Sequence, residues 1–171
     1  MYKTGDLARY LSSLVTPDRF VFFYGGPFSQ WYRSVFEVDG TKYNCAEQYM
    51  MAQKAKLFGD EEAYAKIMKS HDPSTQKATG RQVKNFDVAK WSAVSRDFVY
   101  KANLAKFSEP SLKKVLLETG DKEIVEASPT DKIWGIGLGE DDPRRFYKSQ
   151  WQGLNWLGET IMKVRETLRN Q

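Results

Sequence analysis

Glu47 and Lys54 stand seven residues apart in NCAEQYMMAQK, residues 44–54. On a helix this spacing puts a carboxylate and an amine on one face, two turns from each other. A carboxylate can serve as general acid or base and can stabilise a developing cation, and a desolvated amine can attack an electrophilic carbon. A second carboxylate, Asp131, lies three residues before Trp134 in TDKIWGIGLG, residues 130–139. Glycines beside a tryptophan, beginning with Gly135, let backbone approach a flat ligand while the indole stacks on it. A third cluster, FYGGPFSQWY at residues 23–32, offers Phe28, Ser29 and Trp31, and Asn155 lies in GLNWLG further on. Arg81, just after Gly80, is a candidate for a bidentate phosphate contact.

Each of these groups also has a plainer reading. Asn44 and Glu47 have the spacing of a capping box, in which the glutamate would serve the helix and not a substrate. Lys54 and Arg81, taken singly, read as solvated surface charges. Trp134 could plug the core beside a glycine-rich turn, and Trp91, on a long helix, could shape a wall from within the core. The GxGxG look of residues 135–139 is not a dinucleotide fingerprint, because no strand and helix flank it at the required spacing.

The elements that must position these groups are mostly helical. Residues 1–18 read as a helical lead-in, with Leu7, Tyr10, Leu11 and Leu14 at helical spacing. Residues 19–24 form an aromatic strand, and Asp39-Gly40 between two β-prone runs predicts a tight hairpin. Asn44 caps a helix over residues 46–58 that Gly59 ends. A helix over 61–69 follows, then one opened by Asp72-Pro73 and closed by Gly80. Residues 87–107 form a long amphipathic helix with Val88, Trp91, Val94, Phe98, Leu104 and Phe107 inward. A further helix after Pro110 turns Leu112, Val115 and Leu116 inward, and residues 123–126 form a short strand. Residues 128–152 form a long, glycine-bearing loop of the kind that carries function. A closing helix over 154–170 presents Leu157, Ile161, Val164 and Leu168 on one face. The fold class is α+β, mainly helical, with a small hairpin or sheet, in one domain over residues 1–171.

Composition narrows the chemistry. Net charge is +4, spread along the chain, which suits a phosphate-bearing ligand or weak attraction to nucleic acid. The single cysteine, Cys45, allows no disulfide within the chain, and with His71 the only histidine there is no zinc-ligand spacing, so neither metal nor cofactor is expected. No signal peptide and no run of membrane-spanning length occur, which predicts a cytoplasmic chain without membrane or stable protein partners. Aromatic residues are 14% of the chain, rich enough for a site that stacks a ring.

Seven short motifs in order carry a resemblance to a known family: FSQWY at 28–32, AEQYMMAQK at 46–54, TGR at 79–81, Trp91, AKF at 105–107, DKIWGIG at 131–137 and NWLG at 155–158. Together they resemble the YbiA/NADAR family, over residues 22–168. Two positions depart from its usual pattern: Gln30, where asparagine is common, and Gln48, where histidine is common. The resemblance implies a YbiA-like fold and hydrolysis of N-glycosides. The substrate would be a small-molecule N-riboside phosphate of the riboflavin-intermediate type, or ADP-ribosylated guanine in nucleic acid. It also implies that Glu47, Trp91, Asp131 and Trp134 occupy essential positions. Under that expectation Glu47 and Asp131 take the acid, base and charge-stabilising roles, and Trp134 stacks on base or ribose. Lys54 permits an imine route, and Arg81, Gly135, Phe28, Ser29 and Asn155 contact the substrate. The competing class is a module that binds nucleotide, ADP-ribose or nucleic acid without cutting it. A pure binder of anionic ligands gains nothing from two carboxylates near phosphate.

Overall fold

The computed structural model describes residues 17–171; the helical lead-in expected over residues 1–18 lies almost wholly outside them. The described elements are β1 (Phe20–Phe23), β2 (Phe36–Val38), β3 (Thr41–Tyr43), α1 (Ala46–Leu57), α2 (Glu61–Lys69), α3 (Pro73–Arg81), α4 (Val88–Lys106), α5 (Pro110–Leu117), β4 (Glu123–Glu126) and α6 (Trp156–Arg169). The fold is thus α+β and helix-rich, as the sequence predicts. The chain divides into two compact units. One comprises residues 17–24 with Asp121–Gly158, the other Gly25–Gly120 with Glu159–Gln171.

In the first unit β1 and β4 pair in parallel, Phe20 opposite Glu123 and Phe23 opposite Glu126. Phe20, Val125, Ile136 and Leu138 form its buried core, with Phe22, Phe146 and Trp151 packed against them. The loop over residues 128–152 is ordered by close backbone approach. A Cβ on Gly135 would stand 3.0 Å from the Asp131 and Glu126 carbonyl oxygens, and one on Gly153 would overlap the Gly135 carbonyl. These glycines are there because the chain packs on itself.

In the second unit the hairpin forms at Asp39-Gly40, with both residues at positive φ (50° and 80°), the geometry of the tight turn that this dipeptide predicts. Helix α1 is central and packs against α2, α3, α4 and β3. Eight of its residues are buried, from Ala46 without a break to Ala52 and then Ala55, so its first two turns are covered on every side. Gly80 does not end its helix. It lies inside α3, where an added Cβ would overlap the Met51 side chain, so it serves close packing of α3 on α1.

Helix α4 buries a different stripe from the one its large apolar residues suggest. Trp91, Ser95, Val99, Ala102, Asn103 and Lys106 are inward, while Val88 is exposed and Val94, Phe98 and Leu104 are half-buried. Asn103 and Lys106 turn inward because their polar groups find partners there, in the Gln30 side chain and the Ser29 carbonyl. In α5, Leu112 and Leu116 are buried and Val115 is exposed. Leu157, Ile161, Val164 and Leu168 of α6 are all buried, as their spacing predicts.

Candidate active site

Glu47 sits in the first turn of α1 and is only 6% exposed. Its main-chain amide donates to the Gln30 carbonyl at 2.9 Å, tying the helix start to the segment after Phe28. The helix cap is made by other residues. Cys45 is the N-cap, its Sγ accepting from the Gln48 amide, and Gln48 Oε1 accepts from the Asn44 amide at 2.8 Å. The expected box between Asn44 and Glu47 is therefore displaced by one residue, because a cysteine sulfur can accept where the asparagine was expected to. Asn44 instead donates to the Ser70 carbonyl and accepts from Gln76, which also accepts from the Cys45 thiol. Burial, with Glu47's charge adding to it, pushes the Cys45 thiol up to about 11 and keeps it neutral.

Lys54, two turns on, is not a free surface charge. Its Nζ lies 4.4 Å from the centre of the Phe86 ring and 5.8 Å from that of Trp91. Burial lowers its pKa, the Arg81 charge pushes the same way, and the negative charge of Glu47 opposes both. Glu47, Lys54 and Arg81 therefore share one electrostatic neighbourhood. Trp91 is buried and stacked on Phe98 at 6.0 Å, so it walls the amine from within the core. Arg81 ends α3 and is exposed.

The segment from Phe28 borders the same helix start. Phe28 is buried and stacked on Phe107, and Ser29 Oγ accepts from the Trp31 amide. Trp31 and Tyr32 are exposed. Lys106 lies in the AKF motif at 105–107 but carries no site role in the sequence reading. It is 1% exposed, its Nζ donates to the Ser29 carbonyl at 2.9 Å, and burial lowers its pKa to about 7. A signal for it did exist: Asn103 and Lys106 fall on the same helical stripe as Trp91, Ser95 and Val99.

The remaining candidates lie in the first unit. Asp131 Oδ1 accepts from the amides of Ile133 and Trp134 at 2.9 and 2.8 Å, which forms a turn under the tryptophan. Trp134 is half-buried and meets Trp156 edge to face at 5.6 Å. Asn155 adopts φ 53°, with Oδ1 accepting from the Glu126 amide and Nδ2 donating to the Ile124 carbonyl. These bonds bind the start of α6 to β4.

Residues 22–169 match the family model described as the NADAR domain. An N-glycosidase of Acanthamoeba polyphaga mimivirus is 45% identical over 163 residues, covering 87% of this chain and 96% of the relative. An N-glycosidase of Nostoc punctiforme is 33% identical, covering 85% of this chain and 86% of its own. The solution structure of Escherichia coli YbiA superposes with a TM-score of 0.74 at 29% identity, covering 91% of this chain and 88% of that one. The ordered motifs, the helix-rich α+β fold and the match across nearly the whole described chain converge: this chain belongs to the NADAR family, several of whose members are named N-glycosidases.

Proposed function

We propose that this chain is a hydrolase of N-glycosyl bonds that releases a ribose phosphate or ADP-ribose from the amine of a nucleobase-like ring. The observation that carries the reading is the pairing on α1 of a buried carboxylate, Glu47, with an amine, Lys54, whose charged form is disfavoured by burial and by Arg81. An N-riboside of an exocyclic amine, on taking up a proton, can open to a protonated imine at its anomeric carbon. Lys54 Nζ attacks that carbon, the carbon–nitrogen bond to the ring amine breaks, and the proton given up by Lys54 leaves on the departing amine. Water then adds to the new imine, frees the sugar as its aldehyde and returns the amine of Lys54. Glu47 carries the proton between the two nitrogens, and its charge stabilises the cationic imine. A direct route, in which Glu47 stabilises an oxocarbenium-like sugar and guides water to it, needs no lysine adduct.

The test offers purified protein two substrates in parallel: a DNA oligonucleotide bearing ADP-ribosylated guanine, and the ribosylamino-pyrimidine phosphate of riboflavin synthesis. Release is followed by mass spectrometry, with Glu47→Gln as control. Cleavage of one of them identifies the substrate class. If wild type and control are equally inert on both, the hydrolase reading falls and a nucleotide-binding module takes its place.

A further inference from the structure

Helix α4 sends two polar side chains, one turn apart, into the interior of the second unit. Asn103 is fully buried and Lys106 nearly so. The acceptor of the Lys106 ammonium is a neutral carbonyl, that of Ser29, and the rings of Phe107 and Tyr32 flank it at 4.9 and 5.4 Å. Asn103 Nδ2 donates to Gln30 Oε1 at 2.9 Å and to the Val99 carbonyl, while its Oδ1 has no partner. Gln30 completes the chain of contacts: its carbonyl receives the Glu47 amide and its Nε2 reaches the Met50 sulfur at 3.9 Å. An apolar side chain of the same length at position 106 would fill the same space without desolvating a charge. An unsatisfied amide oxygen at position 103 is likewise unfavourable. Stability alone thus gives no reason for this pair; what the pair holds does.

We propose that Asn103 and Lys106 are positioning residues for the reaction at Glu47. They grip the main chain of Ser29 and the side chain of Gln30, and Gln30 in turn fixes the main chain from which the Glu47 carboxylate projects. The inference rests on the N-glycosidase reading given to Glu47 above.

The test compares Lys106→Met and Gln30→Asn with wild type on the N-glycoside that wild type cuts. Gln30→Asn shortens the link to Asn103 by one methylene and is the second variant should Lys106→Met fail to fold. Three quantities are read: kcat and KM, the amide proton and nitrogen shifts of Glu47, and the unfolding midpoint. The expected result is a Lys106→Met protein at least as stable as wild type, a moved Glu47 amide resonance, kcat lower by about tenfold to a hundredfold, and KM within about twofold. A Glu47 amide that stays in place, or a kcat that stays at the wild-type value in both variants, overturns the proposal. If Glu47→Gln turns over like wild type, the reading of Glu47 itself has failed; that measurement is independent of the other two variants.

Discussion

The amine of Lys54 lies 4.4 Å from the centre of the Phe86 ring, on the same helix that carries Glu47 in its first turn. An ammonium held over an aromatic face in a half-buried place is drawn two ways. Desolvation and Arg81 disfavour the charge, the negative charge of Glu47 favours it, and the pKa is lowered; the ring face also favours the charge.

The imine route therefore has a pH signature. A free amine appears below the ordinary lysine value of 10.5, so turnover should rise with pH along a limb that lies under that value. Lys54→Arg keeps the positive charge but cannot form the imine. It should lose at least about a hundredfold in kcat and all borohydride-dependent trapping of the sugar on the protein. Full turnover in Lys54→Arg without trapping in wild type would leave only the direct route.

Glu47 and Gln48 should separate activity from stability. Gln48 accepts from the Asn44 amide, and its Nε2 faces the carbonyls of Ile67, Met68 and Ser70 at 3.1 to 3.3 Å. Gln48→Ala should cost about 1–3 kcal/mol of stability through the lost side-chain bonds to the Asn44 amide and to these carbonyls, while the Cys45 cap on its main-chain amide remains. Glu47→Gln should lose most turnover while remaining folded. Urea unfolding and steady-state rates on both proteins check this.

Asp131 can be tested without breaking its turn. Asparagine retains the Oδ1 that accepts from Ile133 and Trp134 but removes the charge. If the carboxylate acts in the reaction, Asp131→Asn should unfold near the wild-type midpoint and lose at least about tenfold in kcat. Undiminished turnover would leave the residue as the support of Trp134 alone.

Two glycines should differ in severity. A Cβ at Gly80 would overlap the Met51 side chain, and one at Gly158 would overlap the Ile124 carbonyl oxygen. A methionine can turn aside and a strand backbone cannot, so Gly80→Ala should cost about 1–3 kcal/mol and Gly158→Ala more. Gly80→Ala should be partly relieved by Met51→Ala, as thermal unfolding of the single and double variants would show.

Lys106 makes stability depend on pH. Its pKa is lowered from 10.5 to about 7 in the folded chain, so between those values the unfolded chain binds more protons and stability rises with pH. Below about pH 7 the full cost of the buried charge is present, up to about 5 kcal/mol relative to a neutral amine. Lys106→Met should remove this rise from the difference between pH 7 and pH 10 and unfold at higher urea near neutrality.

Local signals determined much of this protein. The Asp39-Gly40 turn, the start of α3 at Asp72-Pro73 and the buried face of α6 follow from short-range patterning, because turn chemistry and helical period act within a few residues. Glu47 was legible as a candidate, but the N-cap was not, since that depended on Gln76, 32 residues away, occupying the Asn44 side-chain oxygen and leaving Cys45 to accept from the Gln48 amide. Gly80 read as a stop and is a contact point, because only packing brings Met51 against it. The depressed amines were the least legible. Lys54 and Lys106 owe their state to rings and carbonyls up to 77 residues away in the chain, and desolvation is a property of the assembled surroundings that no single stretch of sequence contains.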